Sequence, residues 1–338
     1  MARVAFWENR KMPTLCKPYR LVLVLIGMAL CFAASWGHAS DLPNKPVRII
    51  VPSAAAGPAD LQARIIAPKL SEALGQSVIV ENRPSANGVI AAQYVARAVA
   101  DGSVLLLGNS GTQAINATLY KQLIYDAIRD FAPISEIIST SLVLVASPAV
   151  KAKNVKELIA EAKGAPGKLN FAIVGATGEI AGNLIKQMGQ VEITNIPYKG
   201  AAPATVALIS NESQLMLTLY SGVVASIDSG KLKPIGVTGT RRNSRLPNVP
   251  TLAESGLPGY EIEFWSGIFA PAKTPPAIVQ ALSREFARVV NLPDVKQRFA
   301  ATSDEVVGST PKQLAERVRR DTEKYRKIIL ESGMQRLD

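Results

Sequence analysis

Histidine and cysteine are nearly missing from this sequence. Of 338 residues one is His and two are Cys, and all three (Cys16, Cys31 and His38) lie close to the start. That start reads as a secretory signal peptide. Residues 1–20 are basic, with Arg3, Arg10, Lys11, Lys17 and Arg20 against Glu8. Leu21 to Ala33 is apolar but falls short of the ~20 residues that a membrane-spanning helix needs. Small residues follow, and Gly37-His38-Ala39 offers a small-x-small cleavage site, so a cut is expected after Ala39. An uncleaved anchor is the alternative. Cys31 does not mark a lipoprotein site, because Leu30 stands where a small residue is needed.

Removing residues 1–39 leaves a chain with no His and no Cys. It has no Ser-His-Asp or Cys-His catalytic set, no common zinc site, no disulfide and no imidazole for proton transfer near neutral pH. A site built from carboxylates or lysine is the remaining enzymatic option. Aromatics are scarce too: Trp265 is the one Trp left. No basic cluster interleaves with aromatics, so nucleic acid is not an expected partner. Gly175-Ala176-Thr177-Gly178 lacks the spacing of a dinucleotide fingerprint, and no Gly-Lys-Ser/Thr exists for a P-loop. No cofactor and no metal are expected. Ser309-Thr310-Pro311-Lys312 matches a Ser-x-x-Lys pair but reads better as a helix start with Pro in the first turn. The remaining chain keeps 33 Lys/Arg and 26 Asp/Glu, a net charge of +7 spread along its length. That suits an anionic ligand.

What is present is organised around residues 47–60. Val47 to Val51 is a β-branched apolar run, which reads as a buried parallel strand. Pro52 ends it. Ser53, Ala54, Ala55, Ala56 and Gly57 carry almost no side chain. Pro58 suits the first turn of a helix, and Asp60 places a carboxylate near its positive end. Such a junction presents free backbone N–H groups that hold an anion without any catalytic side chain; the competing reading is a tight βα turn.

The same pattern recurs. Asp60–Gly75 reads as an amphipathic helix interrupted by Pro68, Ser77–Asn82 as a strand, Arg83–Gly88 (with Asn87) as a turn, and Val89–Ala100 as a helix. A strand at Val104–Leu107 leads into Gly108-Asn109-Ser110-Gly111-Thr112 and a short helix. The second half repeats it: strand Leu169–Val174, loop Gly175–Gly178 and helix; strand Glu192–Tyr198, loop Lys199–Pro203 and helix; strand Gln214–Tyr220, then Ser221-Gly222. Strands alternating with helices predict an α/β fold with mostly parallel sheets and right-handed crossovers. Two long extended runs, 135–147 and 261–270, suggest two lobes joined by two crossing strands, with C-terminal helices completing the first. The last helix, Pro311 to Ser332, is heavily charged and reads as a solvated outer face. A ligand would lie in the cleft, where βα loops gather.

Six motifs then stand in a familiar order: Val51-Pro52-Ser53-Ala54-Ala55-Ala56-Gly57-Pro58-Ala59-Asp60, Glu81-Asn82-Arg83-Pro84, Ile196-Pro197-Tyr198-Lys199-Gly200, Leu246-Pro247-Asn248-Val249-Pro250-Thr251, Glu254-Ser255-Gly256-Leu257-Pro258-Gly259-Tyr260 and Ala270-Pro271. In these the chain resembles the Bug, or TctC-like, family of periplasmic solute receptors of tripartite tricarboxylate transport systems, over essentially all of the chain after residue 39. It departs from the family at the pocket walls: Ser53 replaces a usual Phe, Ala56 a usual Gly, Gly182-Asn183 a usual His, and Gln214 a common Asp.

The resemblance implies a two-lobed periplasmic-binding-protein fold, type II-like, with residues 40–142 and 266–338 in lobe 1 and 143–265 in lobe 2. It implies a small carboxylate solute gripped by the backbone of Ser53–Gly57, with Gly175, Ala176, Thr177, Gly178, Lys199, Gly200, Ala201 and Ala202 closing from the other lobe. Asp60, Asn87, Ser110, Thr112, Tyr198 and Thr218 complete the candidate contacts. Tyr198 also reads as a packed strand-end aromatic, Lys199 as a solvated loop lysine, and Asp60 as a cap for its own helix. The implied partners are inner-membrane permease subunits, or a sensor kinase if the role is sensing, and the receptor is expected to be a monomer in the periplasm.

Overall fold

Val47–Val51 (β1) forms a strand with four of its five residues buried, as an apolar run covered on both faces requires. The computed structural model describes residues 45–331 and 334–338, so the expected signal peptide and its cleavage site lie outside the described residues. From β1 the chain enters α1 (Pro58–Leu74), with Pro58 in its first turn and Gly75, left-handed at φ 65°, ending it. Pro68 lies inside α1, and the helix runs through it. β2 (Val78–Asn82), α2 (Val89–Ala96) and β3 (Val104–Asn109) follow. α2 is shorter than the expected Val89–Ala100. A π-helical turn, Gly111–Ile115, and α3 (Asn116–Leu119) lead to β4 (Phe131–Ala146), the longest strand.

The second half repeats the alternation. α4 (Val155–Gly164) is capped by Asn154, whose side chain accepts the Glu157 N–H at 3.0 Å. β5 (Asn170–Ile173), α5 (Gly175–Gly189), β6 (Thr194–Pro197), α6 (Ala201–Ile209), β7 (Leu215–Leu219), α7 (Val224–Asp228) and β8 (Lys233–Val237) follow. β9 (Glu263–Pro271) returns the chain. α8 (Pro276–Val290), α9 (Pro293–Ala301), the short β10 (Glu305–Val306) and α10 (Pro311–Glu331) end it.

The strands pair in the order β2-β1-β3-β9-β4-β7-β5-β6, with β8 and β10 both on β4. β1 is parallel to β2 and β3, and β5 is parallel to β6 and β7. β9 is antiparallel to β3 and β4. β4 changes partners along its length: through Ser141 it pairs with β9, and from Leu142 with β7 and β8. One strand therefore belongs to both halves of the sheet.

The unbroken apolar run of β4 follows from its setting. Leu142, Leu144 and Ala146 point into the main core, whereas Val143 and Val145 point to a second cluster with Ala204, Leu208 and Met216. Period-two alternation with both faces covered leaves no polar position. α10 is not wholly solvated. Leu314, Val318, Asp321, Tyr325 and Ile329 are buried along one side, because an apolar residue recurs once per turn among the charges.

β3 and β9 meet closely at Gly108. A methyl there would lie 2.8 Å from Phe269 Cδ2 and 2.9 Å from Gln113 Cγ, and Phe269 is fully buried. Gly108→Ala is expected to cost about 1–3 kcal/mol of stability by overpacking. Urea unfolding should show it as a lower midpoint at unchanged slope.

Candidate functional site

The junction after β1 is held by its own neighbours. Asn82 Nδ2 donates to the Ser53 carbonyl at 3.1 Å. The Ala56 N–H and Arg64 Nε both donate to Asp60 Oδ2, each at 2.9 Å. Ala56 sits at φ 61°, a conformation that costs alanine about 1–2 kcal/mol and that its bond to Asp60 helps to hold. Burial pushes the Asp60 carboxyl up, but the Arg64 side chain and the Ala56 N–H outweigh it and hold it below its usual range. Asp60 thus serves its own loop and helix. Ala54, Ala55 and Ala56 are exposed, and no described group accepts the N–H of Ala54 or Ala55. Ser53 Oγ is buried without a hydrogen-bond partner.

Three further junctions gather around this one. Gly88 needs its left-handed φ of 73° and has no room for a side chain: a methyl would meet Pro52 Cβ at 2.7 Å and Thr112 Cγ2 at 2.8 Å. The turn carrying Asn87 is thereby pressed between the first loop and the end of β3. Beyond β3, Ser110 Oγ lies 3.1 Å from Thr177 Oγ1, both buried, and a methyl on Gly111 would lie 3.6 Å from Ala176 Cβ. The end of β3 therefore touches the start of α5, across the two halves of the sheet. The third meeting is at Gly222. A methyl there would lie 3.2 Å from Ala201 Cβ and 3.5 Å from both Pro58 Cγ and Thr218 Oγ1. The start of α1, the start of α6 and the end of β7 converge.

The expected loops 175–178 and 201–202 prove to be the first turns of α5 and α6. Gly178 packs against the Leu217 carbonyl, 3.2 Å from where a methyl would sit. One residue separates α5 from β5 and three separate α6 from β6, so the N–H groups of both positive helix ends come to the junction.

Several predicted contacts have their polar groups committed elsewhere. The Tyr198 hydroxyl lies 3.2 Å from Ser213 Oγ and 3.3 Å from Glu212 Oε1, so it acts as a packed strand-end aromatic. Thr112 Oγ1 accepts the Asn109 N–H at 3.0 Å. The Asn87 side chain donates to Tyr120 OH at 3.3 Å, and its carbonyl accepts from Asn116. Lys199 is exposed, and Gly200 turns the chain at φ 135°. Ser221, which follows the strand expected at Gln214–Tyr220, is not among the expected contacts. Its Oγ is buried without a partner beside Gly222. The signal was there, since Ser221-Gly222 repeats the strand, small residue, helix pattern of the other junctions.

The residues brought together carry hydroxyls, small apolar groups and helix N-termini. Such a site binds an anion through main-chain N–H groups. In the first junction the Asp60 carboxylate has Oδ2 bonded to its own loop and helix, while Oδ1 is buried without a partner.

A family model described as the tripartite tricarboxylate transporter family receptor matches residues 62–334. The chain belongs to that family. This TctC receptor is similar to the R. palustris protein Rpa4515 solved with adipate, at 32% identity and a TM-score of 0.83, covering 86% of this chain and 98% of that one. It is similar to the periplasmic binding protein BugD at 31% identity and a TM-score of 0.82, covering 87% and 99%. It is also similar to MatC from Rhodopseudomonas palustris with bound malate, at 29% identity and a TM-score of 0.81, covering 85% and 100%. The receptor thus has the two-lobed periplasmic-binding-protein fold and a solute-binding role. No described helix is long and apolar enough to cross a membrane.

Proposed function

We propose that this TctC receptor captures a small carboxylate in the cleft between residues 40–142 with 266–338 and residues 143–265, and hands it to inner-membrane permease subunits. One observation carries the reading. The N–H groups of Ala54 and Ala55, at the positive start of α1, have no internal acceptor, in a chain whose structural relatives were solved with adipate and with malate. The facing junctions Gly175–Gly178 and Ala201–Ala202, together with Ser110, Thr218, Ser53 and Ser221, supply hydroxyls and further helix N-termini. Lys199 is exposed beside the start of α6. The receptor acts without turnover, as a monomer, and is exported with cleavage after Ala39.

A thermal-shift screen of adipate, malate and small monocarboxylates tests this. A solute that binds only the folded receptor stabilises it by about 2.7 kcal/mol at a hundredfold excess over its Kd. The expected result is a raised Tm for at least one carboxylate, one-to-one binding by calorimetry, and unchanged solute afterwards. If no carboxylate raises the Tm, the reading fails.

A further inference from the structure

A second concave feature shares no residue with the candidate site. A groove of about 620 Å³ runs along α2, lined by Lys45, Arg48, Arg83, Tyr94 and Arg97 among others. The Arg83 guanidinium stacks 3.6 Å from the centroid of the Tyr94 ring, and that of Arg48 lies 5.6 Å away. Glu81 fixes both. Arg83 Nε donates to its Oε1 at 2.6 Å and Arg48 Nε to its Oε2 at 3.0 Å. Lys45 pairs with Asp101. Arg97 is exposed and has no carboxylate partner among the described residues. Four cations thus face two carboxylates.

The ends of the groove are apolar. Ile90, at the start of α2, is 52% exposed, and Val99, just past its end, is 68% exposed. The eight residues of α2 are about 12 Å long, at 1.5 Å per residue. Single exposed aliphatics are ordinary on a protein surface, but two that line the same cationic groove add apolar contacts to a partner that its charge attracts. Arg83 covers one face of the Tyr94 ring. A free dicarboxylate satisfies the cations but leaves the aliphatic ends uncovered. The guanidinium groups of Arg48 and Arg83 are held in place before any partner arrives, which lowers the ordering cost of binding. We propose that this groove docks an acidic protein segment whose carboxylates are flanked by aliphatic side chains. The proposal does not depend on which solute fills the cleft.

The test is fluorescence anisotropy of the exported chain with a labelled synthetic peptide of alternating leucine and glutamate. Saturable binding is expected. It should weaken at least ~tenfold in the double variant Lys45→Glu/Arg97→Glu, and by a similar factor when salt rises from about 0.05 to 0.5 M. Val99→Ser should weaken it about threefold through lost apolar contact. Circular dichroism melts should show both variants folded. A matching leucine–lysine peptide should not bind, and excess adipate should not displace the acidic one. Equal binding by the charge-reversed variant, equal binding of the lysine peptide, displacement by adipate, or no saturable binding would each overturn the proposal. So would binding of phosphatidylglycerol vesicles alone, lost in the same double variant, which would reassign the groove to a membrane surface.

Discussion

Ala55→Glu should abolish carboxylate binding and leave the receptor folded. Ala55 is exposed and makes no hydrogen bond within the described residues. An exposed substitution of this kind changes stability by no more than about 0.5 kcal/mol. Its effect on the site is large for two reasons that add. The new carboxylate occupies the place of the solute's own, and its charge repels the solute at the positive start of α1. Charge-assisted hydrogen bonds from main-chain N–H groups contribute about 1.5–3 kcal/mol each. Losing two or three of them weakens binding by roughly a hundredfold or more. Ser53→Ala should be mild by comparison, because the grip is main-chain: no more than about tenfold, or ~1.4 kcal/mol. Calorimetry on both variants decides. An Ala55→Glu receptor that held its solute as tightly as the parent would move the site elsewhere.

The second large effect is a loss of stability as pH rises from about 5 to 8. Glu136 on β4 is buried beside Arg317 and Asp321 of α10 and Glu263 of β9. Arg317 donates to Glu263 Oε2 at 3.0 Å and to Asp321 Oδ2 at 2.8 Å, while Glu136 Oε1 stands 4.0 Å from its nearest nitrogen. Trp265 Nε1 also donates to Asp321, at 2.8 Å. One guanidinium thus serves three carboxylates, and Glu136 is the least well served. Burial pushes Glu136 up to about 7, with Asp321 and Glu263 adding to the rise and Arg317 and Arg320 opposing it. Burial likewise pushes Asp304 up to about 6.

A carboxyl whose pKa is raised in the folded state favours folding below its unfolded value, and that contribution is lost as pH passes through the folded value. For Glu136 the window runs from about 4.5 to 7, and the loss is on the order of 3 kcal/mol. Asp60, Glu81, Asp101 and Asp126 are held below the usual range, so they act in the opposite sense and only in more acidic solution. Glu136→Gln should reduce the dependence, leaving the part due to Asp304. At pH 8 the variant should be more stable than the parent by about 2–3 kcal/mol, and at pH 5 the two should match. Arg317 keeps Glu263 and Asp321 in the variant, so no buried cation is orphaned. Urea titrations at the two pH values give the answer. An unchanged pH slope in the variant would show that Glu136 is not responsible.

The alternation of β-branched runs, small-residue junctions and helices settled the α/β class and the place of each junction. The loop at Ser53–Gly57 was legible because a strand, a run of tiny residues and a proline at a helix start leave little else that the chain can do locally. The apolar stretch at Leu142–Ala146 signalled a strand covered on both faces. Boundaries were less secure: Gly175–Gly178 and Ala201–Ala202 turned out helical because small residues suit both a loop and a first helical turn. Local sequence also said nothing of which junctions meet. That Ser110 reaches Thr177, sixty-seven residues away, follows from the order of strands in the sheet. The same order joins Pro58, Ala201 and Thr218 at Gly222. Which groups Asp60, Tyr198 and Thr112 bond within the chain was decided by packing, which residue spacing alone does not give. The cluster around Arg317 was illegible for the same reason. Its four charged groups come from three elements, and a helix that reads as solvated by composition buries the one face on which they converge. Residue type and spacing determine local structure and the chemistry a chain has to offer. Distances between segments far apart in sequence are set by the cooperative packing of the whole sheet.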